Sequence, residues 1–154
     1  MEYAVPGGIQ RCELIAGTGT EKSRGAMVIA ALSQKIKAPL GALEVEAKAA
    51  EVALQFARDV GISDFIMEMD SQIVYNALCG HSSPPSVVAS VISGAIGFCG
   101  LFRQVDFSHI RRQGNTPAHL LAKHARGIVD FVAWMEETPC FLMQALTNDV
   151  SFSI

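Results

Sequence analysis

Residues 65–78, Phe-Ile-Met-Glu-Met-Asp-Ser-Gln-Ile-Val-Tyr-Asn-Ala-Leu, change character halfway along. The stretch opens as a short apolar strand, Phe65-Ile66-Met67. It reaches a carboxylate, Asp70, and turns at Ser71-Gln72 into a second apolar segment, residues 73–78. Ser71 suits a helix N-cap, since its hydroxyl can accept one of the backbone N–H groups that the first turn leaves without a partner. A carboxylate at the C-terminal end of a strand, just before a helix, stands where open α/β sheets place their chemistry. The plainer alternative is a capping or turn acid, because Asp and Ser both favour such places.

The rest of the chain decides what surrounds this strand-to-helix switch. Residues 11–16 and 26–32 read as two strands joined as a hairpin by the long connection around Gly17-Thr18-Gly19-Thr20. That glycine pair is no phosphate loop: a third glycine and the strand–turn–helix setting are missing. Pro6-Gly7-Gly8 marks a turn. Residues 43–60 read as a long helix, rich in Ala, Glu, Lys and Leu, with an expected buried face of Val45, Ala49, Val52, Ala53, Phe56 and Val60. Gly61 suits its stop. Then follow a strand at 65–69, helices at 72–79 and 85–98, a strand within 101–110, a helix at 115–126 capped by Asn115 or Thr116, and a helical tail at 129–146 around Trp134. The expected order is β-β-α-β-α-α-β-α-α. No repeat, linker or low-complexity segment divides it, so residues 1–154 are read as a single domain.

Half the residues are hydrophobic and 18% are charged, which excludes a disordered chain. A net charge of −3 argues against a general nucleic-acid binder, but the charge is uneven. Residues 103–126 hold five cations (Arg103, Arg111, Arg112, Lys123, Arg126) against Asp106, a local net of +4 that leaves −7 elsewhere. A basic face on an acidic protein can hold a phosphate backbone, and it can equally be an ordinary solvated surface. Cys12, Cys79, Cys99 and Cys140 form no CxxC pair, so reduced thiols in an intracellular protein, nuclear or cytoplasmic, are expected. The N-terminus has no signal-peptide pattern. Residues 82–102 carry no charge, yet Pro84-Pro85, the serines and three glycines argue for a core-facing helix and against a membrane span.

Polar groups at strand ends and on helix faces are the candidates for chemistry. Glu46 opens the long helix at the edge of an apolar face, where an unpaired carboxylate is costly. Asp70 ends one strand and His109 another. His119, between Ala118 and Leu120-Leu121, is as readily a structural histidine as a ligand. Two carboxylates with a third ligand would suit a hard cation, and paired ions of that kind support phosphodiester hydrolysis.

Three runs give these residues a context: Glu46-Ala-Lys-Ala-Ala-Glu-Val-Ala-Leu54, Met69-Asp70-Ser71-Gln72-Ile-Val74, and Ser108-His109 followed after nine residues by His119-Leu-Leu-Ala122. In this order they resemble the ribonuclease H domain over roughly residues 25–146. The likeness is nearest to its reverse-transcriptase-like subfamily abundant in plants, through the run from Val105 to His124 and the segment around Trp134. The resemblance implies an α/β ribonuclease H-like fold: a mixed five-stranded β-sheet flanked by helices. It implies metal-dependent hydrolysis of RNA in RNA–DNA hybrids with Mg2+ or Mn2+. Glu46 and Asp70 match metal ligands, and His109 matches a mobile histidine assisting proton transfer or product release. Gln72, Arg111, Arg112 and Asn115 fall near the nucleic acid.

Two departures bear on activity. The family's first catalytic aspartate ends an N-terminal strand, but this sequence has no Asp before Asp59 and that strand is missing or atypical. Glu13 is the nearest stand-in. The family's last acidic ligand is matched by His119, and imidazole suits softer metals better than Mg2+. Three functions are therefore open: a hybrid-specific ribonuclease using Glu46, Asp70, His109 and His119; a nucleic-acid-binding domain without efficient cleavage; and an interaction module or relic of a mobile element. A small-molecule α/β enzyme has no motif in its favour.

Overall fold

A computed structural model describes residues 9–14, 30–36 and 40–146, with the backbone alone for residues 9–14. The expected turn at Pro6-Gly7-Gly8, the connection around Gly17, the first residues of the second strand and the side chain of Glu13 lie outside the described residues.

The second strand organises one half of the molecule. Strand β2 (Ala30–Lys35) pairs antiparallel with β1 (Ile9–Leu14) on one side and with β5 (Phe131–Met135) on the other. Ala30, Ala31, Leu32 and Ser33 are all buried, as expected for a central strand covered on both faces. Alternation along the strand sorts them. Leu32 packs against Val52 and Phe56 of helix α1 (Ala42–Asp59). Ala31 packs against Leu121 of helix α4 (Thr116–Ala125), with Leu142, Trp134 and Phe141 closing that side.

The other half is a parallel pair, β3 (Asp64–Met69) with β4 (Gln104–His109), in register from Asp64↔Gln104 to Met69↔His109. Their connection runs through helices α2 (Gln72–Leu78) and α3 (Ala89–Cys99). Met67 and Met69 of β3 join Ala47, Ala50 and Leu54 of α1, Val74, Ala77 and Leu78 of α2, and Val88, Ile92 and Ala95 around α3 in the largest core. Complete burial of a side chain such as Leu54 or Ile92 contributes about 1.5–3 kcal/mol.

The helix ends follow from local chemistry. Ser71 caps α2, its Oγ accepting from Val74 N at 3.4 Å. Helix α1 closes at Gly61 (φ +80°): Gly61 N donates to Arg58 O and Ile62 N to Ala57 O, each at 3.0 Å. That double bond pattern requires the left-handed residue glycine supplies.

Several expectations need correction. The tail around Trp134 is a strand. Residues 131–135 alternate exposed and half-buried, and the backbone of β5 completes an edge of β2 that a helix could not pair. Helix α3 starts at Ala89, because residues 86–88 form a turn after Pro84-Pro85; Val87 and Ile96 of its expected apolar face are exposed. On α1 the buried face is Ala47, Ala50, Leu54 and Ala57 together with Val52; Val45, Ala49, Ala53, Phe56 and Val60 are half-buried. The helix is wedged between two cores, which widens its apolar arc beyond a single stripe. Among the described residues, five strands form two ladders, three-stranded and two-stranded, where one five-stranded sheet was expected. Among the described residues, no strand joins β3 to the β1–β2–β5 ladder. No described helix is long and apolar enough to cross a membrane.

Candidate nucleic-acid interface

Parallel pairing brings the C-terminal ends of β3 and β4 together, and Ile110 N continues the ladder by donating to Met69 O at 2.9 Å. Asp70, Ser71 and Gln72 therefore leave β3 beside the point where His109, Ile110 and Arg111 leave β4. This end is where α/β sheets with parallel strands concentrate their chemistry.

Asp70 has a side chain only 10% exposed, and Nε2 of His119 is 3.1 Å from its Oδ2, an ion-pair distance. His119 lies in the first turn of α4, so this contact joins the helix to the end of β3. A second histidine meets the same residue through the backbone: Nε2 of His109 is 3.3 Å from Asp70 O. His109 is exposed, with its ring 5.8 Å from that of Tyr75, which is in turn 5.8 Å from the ring of His81.

The remaining candidates divide. Gln72 is exposed and donates from Nε2 to Asn76 Oδ1 at 3.0 Å. Arg111 and Arg112 are exposed where β4 gives way to a short 3₁₀ turn, Arg112–Asn115. Asn115 does not face solvent with them: it is 7% exposed at the N-cap position of α4 and makes no side-chain cap bond there. Glu46 is half-buried in α1. It does not complete a three-donor cluster with Asp70 and His119; among the described residues, no group of three or more His, Cys, Asp or Glu side chains is placed to hold a metal ion.

The donors that do meet fit poorly to the divalent ion implied by the ribonuclease H likeness. One carboxylate and one imidazole are a weak offer to Mg2+, which takes oxygen ligands in near-ideal octahedral geometry.

The basic stretch also divides by position. Arg103 is at the opposite end of the parallel pair, where Nε and Nη2 donate to Asp64 Oδ1 and Oδ2 at 2.7 and 2.5 Å. This two-point bond holds the Asp64 carboxyl below its ordinary value and raises the Arg103 guanidinium. Arg103 therefore belongs to a salt bridge away from Asp70. Arg111, Arg112, Lys123 and Arg126 are exposed.

Two aromatic residues linked to His109 escaped the sequence reading. Tyr75 and His81 fall on and just after α2, and helical spacing from Ser71 already places Tyr75 one turn along. The Tyr75 hydroxyl is held above its ordinary pKa by a hydrogen bond with the Cys79 side chain, one further turn on. Cys79, Cys99 and Cys140 are free thiols, and burial pushes Cys99 up.

Comparison with known proteins gives this geometry a setting. The sequence pattern of the family described as reverse transcriptase-like matches residues 20–125. No curated protein matches. Among solved structures, RNase H1 from the halophilic archaeon Halobacterium salinarum NRC-1 is similar, with a TM-score of 0.56 and 20% identity, over 70% of this chain and 92% of that one. The N-terminal RNase H domain of a Mycobacterium tuberculosis protein, fused to maltose-binding protein, is similar with a TM-score of 0.55 and 23% identity, over 62% of this chain and 68% of that one. At these identities the structures speak to the fold, a mixed α/β RNase H-like one. With a family match across more than half its length, the chain belongs to the reverse transcriptase-like family.

Proposed function

We propose that this domain binds nucleic acid, with an RNA–DNA hybrid as its preferred ligand, and that hydrolysis is weak or lost. The observation that carries the reading is the grouping of exposed Arg111, Arg112 and Gln72 at the end of the β3–β4 pair that also holds Asp70, His109 and His119. Arginines there can take phosphates as charge-assisted partners, and Gln72 can reach a backbone oxygen. Weak hydrolysis follows from the acid set: of the four acids the ribonuclease H likeness implies, Glu46 and Asp70 remain, and the last position is His119. Asn115 is left to the start of α4. Membership of the plant group rests on the run from Val105 to His124.

Fluorescence anisotropy with a labelled hybrid, in EDTA and over a salt series, tests the binding. Affinity should fall steeply with salt through counterion release. The Arg111→Ala/Arg112→Ala variant should bind about tenfold or more weakly, with a log–log salt slope reduced by about 1–2. Unchanged affinity in that variant removes the reading. A parallel assay with Mg2+ or Mn2+ compares hybrid cleavage by wild type and Asp70→Asn. Rapid cleavage that the substitution abolishes would establish the full ribonuclease instead.

A further inference from the structure

We infer that His119 takes the place of a cation at Asp70: the imidazole is the resident partner of this carboxylate, and the Asp70 site excludes divalent ions. The inference rests on the nucleic-acid reading only for its biological sense, since it means that this domain engages its ligand without metal.

Three features converge on it. Asp70 is nearly enclosed, so its carboxylate needs a compensating group close by, and Nε2 of His119 stands 3.1 Å away in an ion-pair contact, without hydrogen-bond geometry. That partner comes from the first turn of α4, where the helix presents its positive end, which favours an anion and opposes an approaching cation. Finally, the oxygens that a hard ion would require are not gathered: among the described residues, no third His, Cys, Asp or Glu joins the pair. The contact also has a structural role, fastening α4 to the end of β3 across two ladders that no described strand bridges.

The test needs no nucleic acid and no activity. Thermal unfolding of the full chain is followed at fixed pH and ionic strength, in EDTA and with about 5 mM MgCl2 or MnCl2, because an ion bound to the native state raises the midpoint. Wild type should shift by less than about 1 °C. His119→Asp sets two carboxylates against each other, so its midpoint should fall in EDTA and recover by roughly 3 °C or more with Mg2+. A rise in wild type with either ion, abolished by Asp70→Asn, overturns the inference. So does a His119→Asp protein with a native circular-dichroism spectrum and no response to metal. Because hybrid binding is measured in EDTA, the two readings fail separately. A metal-induced rise sinks this one and leaves binding intact, whereas loss of hybrid binding with no metal response sinks only the other.

Discussion

Ser33 is wholly buried in the middle of β2, and its hydroxyl serves as both donor and acceptor. It donates to Leu121 O at 2.8 Å, which leaves Oγ to accept from His124, whose Nδ1 is 3.1 Å away. The proton of that imidazole is thereby assigned to Nδ1. The ring stacks on Phe141 and meets Trp134 edge-on, at centroid distances of 5.0 and 5.2 Å. No local pattern announces such a group, since Ser33 and His124 are far apart in the chain. Asp70 and Ser71 were legible because a strand end and a cap are decided within four residues. Asp64 offers a test at the same scale. Arg103 lowers its folded pKa below the ordinary 3.8. The sign follows: the contribution is fully present above the unfolded value and is lost as pH falls through the folded one. Asp64→Asn should therefore flatten the acid limb of stability, with little change in slope above pH about 5, as urea titrations at several pH values will show.

Elements with strong local signals were readable almost to the residue. Helix α1 was expected over 43–60 and runs Ala42–Asp59; β3 was expected from 65 and starts at Asp64. Both are framed by chemistry that acts over one turn, Gly61 above all. Gly61→Ala forces a Cβ into the left-handed region and should cost about 1–2 kcal/mol. That lowers the thermal midpoint by roughly 2–4 °C per kcal/mol, without changing hybrid affinity. No atom lies within 4 Å of the Cβ it would add, so the penalty comes from the backbone alone. The face of α1 was read less well, because sequence periodicity assumes one partner and this helix has two. Strand β5 was misread for a related reason. Five residues with alternating exposure carry a short signal, and the edge of β2 that selects a strand there is distant in sequence.

For the whole molecule, the order of elements from β1 to α4 and the α/β class were legible, while the strand that follows α4 and its place beside β2 were not. Pairing between β2 and β5 is non-local, as is the contact that joins α4 to β3. The family match ends at residue 125, before β5 begins at Phe131. A chain cut after Arg126 should therefore expose the N–H and C=O groups along one edge of β2 and the apolar surface beneath Trp134. Such an open edge is a template for other chains. Light scattering and gel filtration should find the cut protein aggregated under conditions that leave the full chain dispersed; a monodisperse, folded fragment would refute this.

The same strand has a consequence during synthesis. Strand β2 leaves the ribosome roughly a hundred residues ahead of the partner that finishes it, so this edge of the sheet cannot pair until β5 has emerged. For that interval the nascent chain carries an unsealed hydrophobic seam. A holdase able to shelter an extended apolar strand should associate with ribosome-bound chains ending before Phe131 and leave once Met135 has emerged.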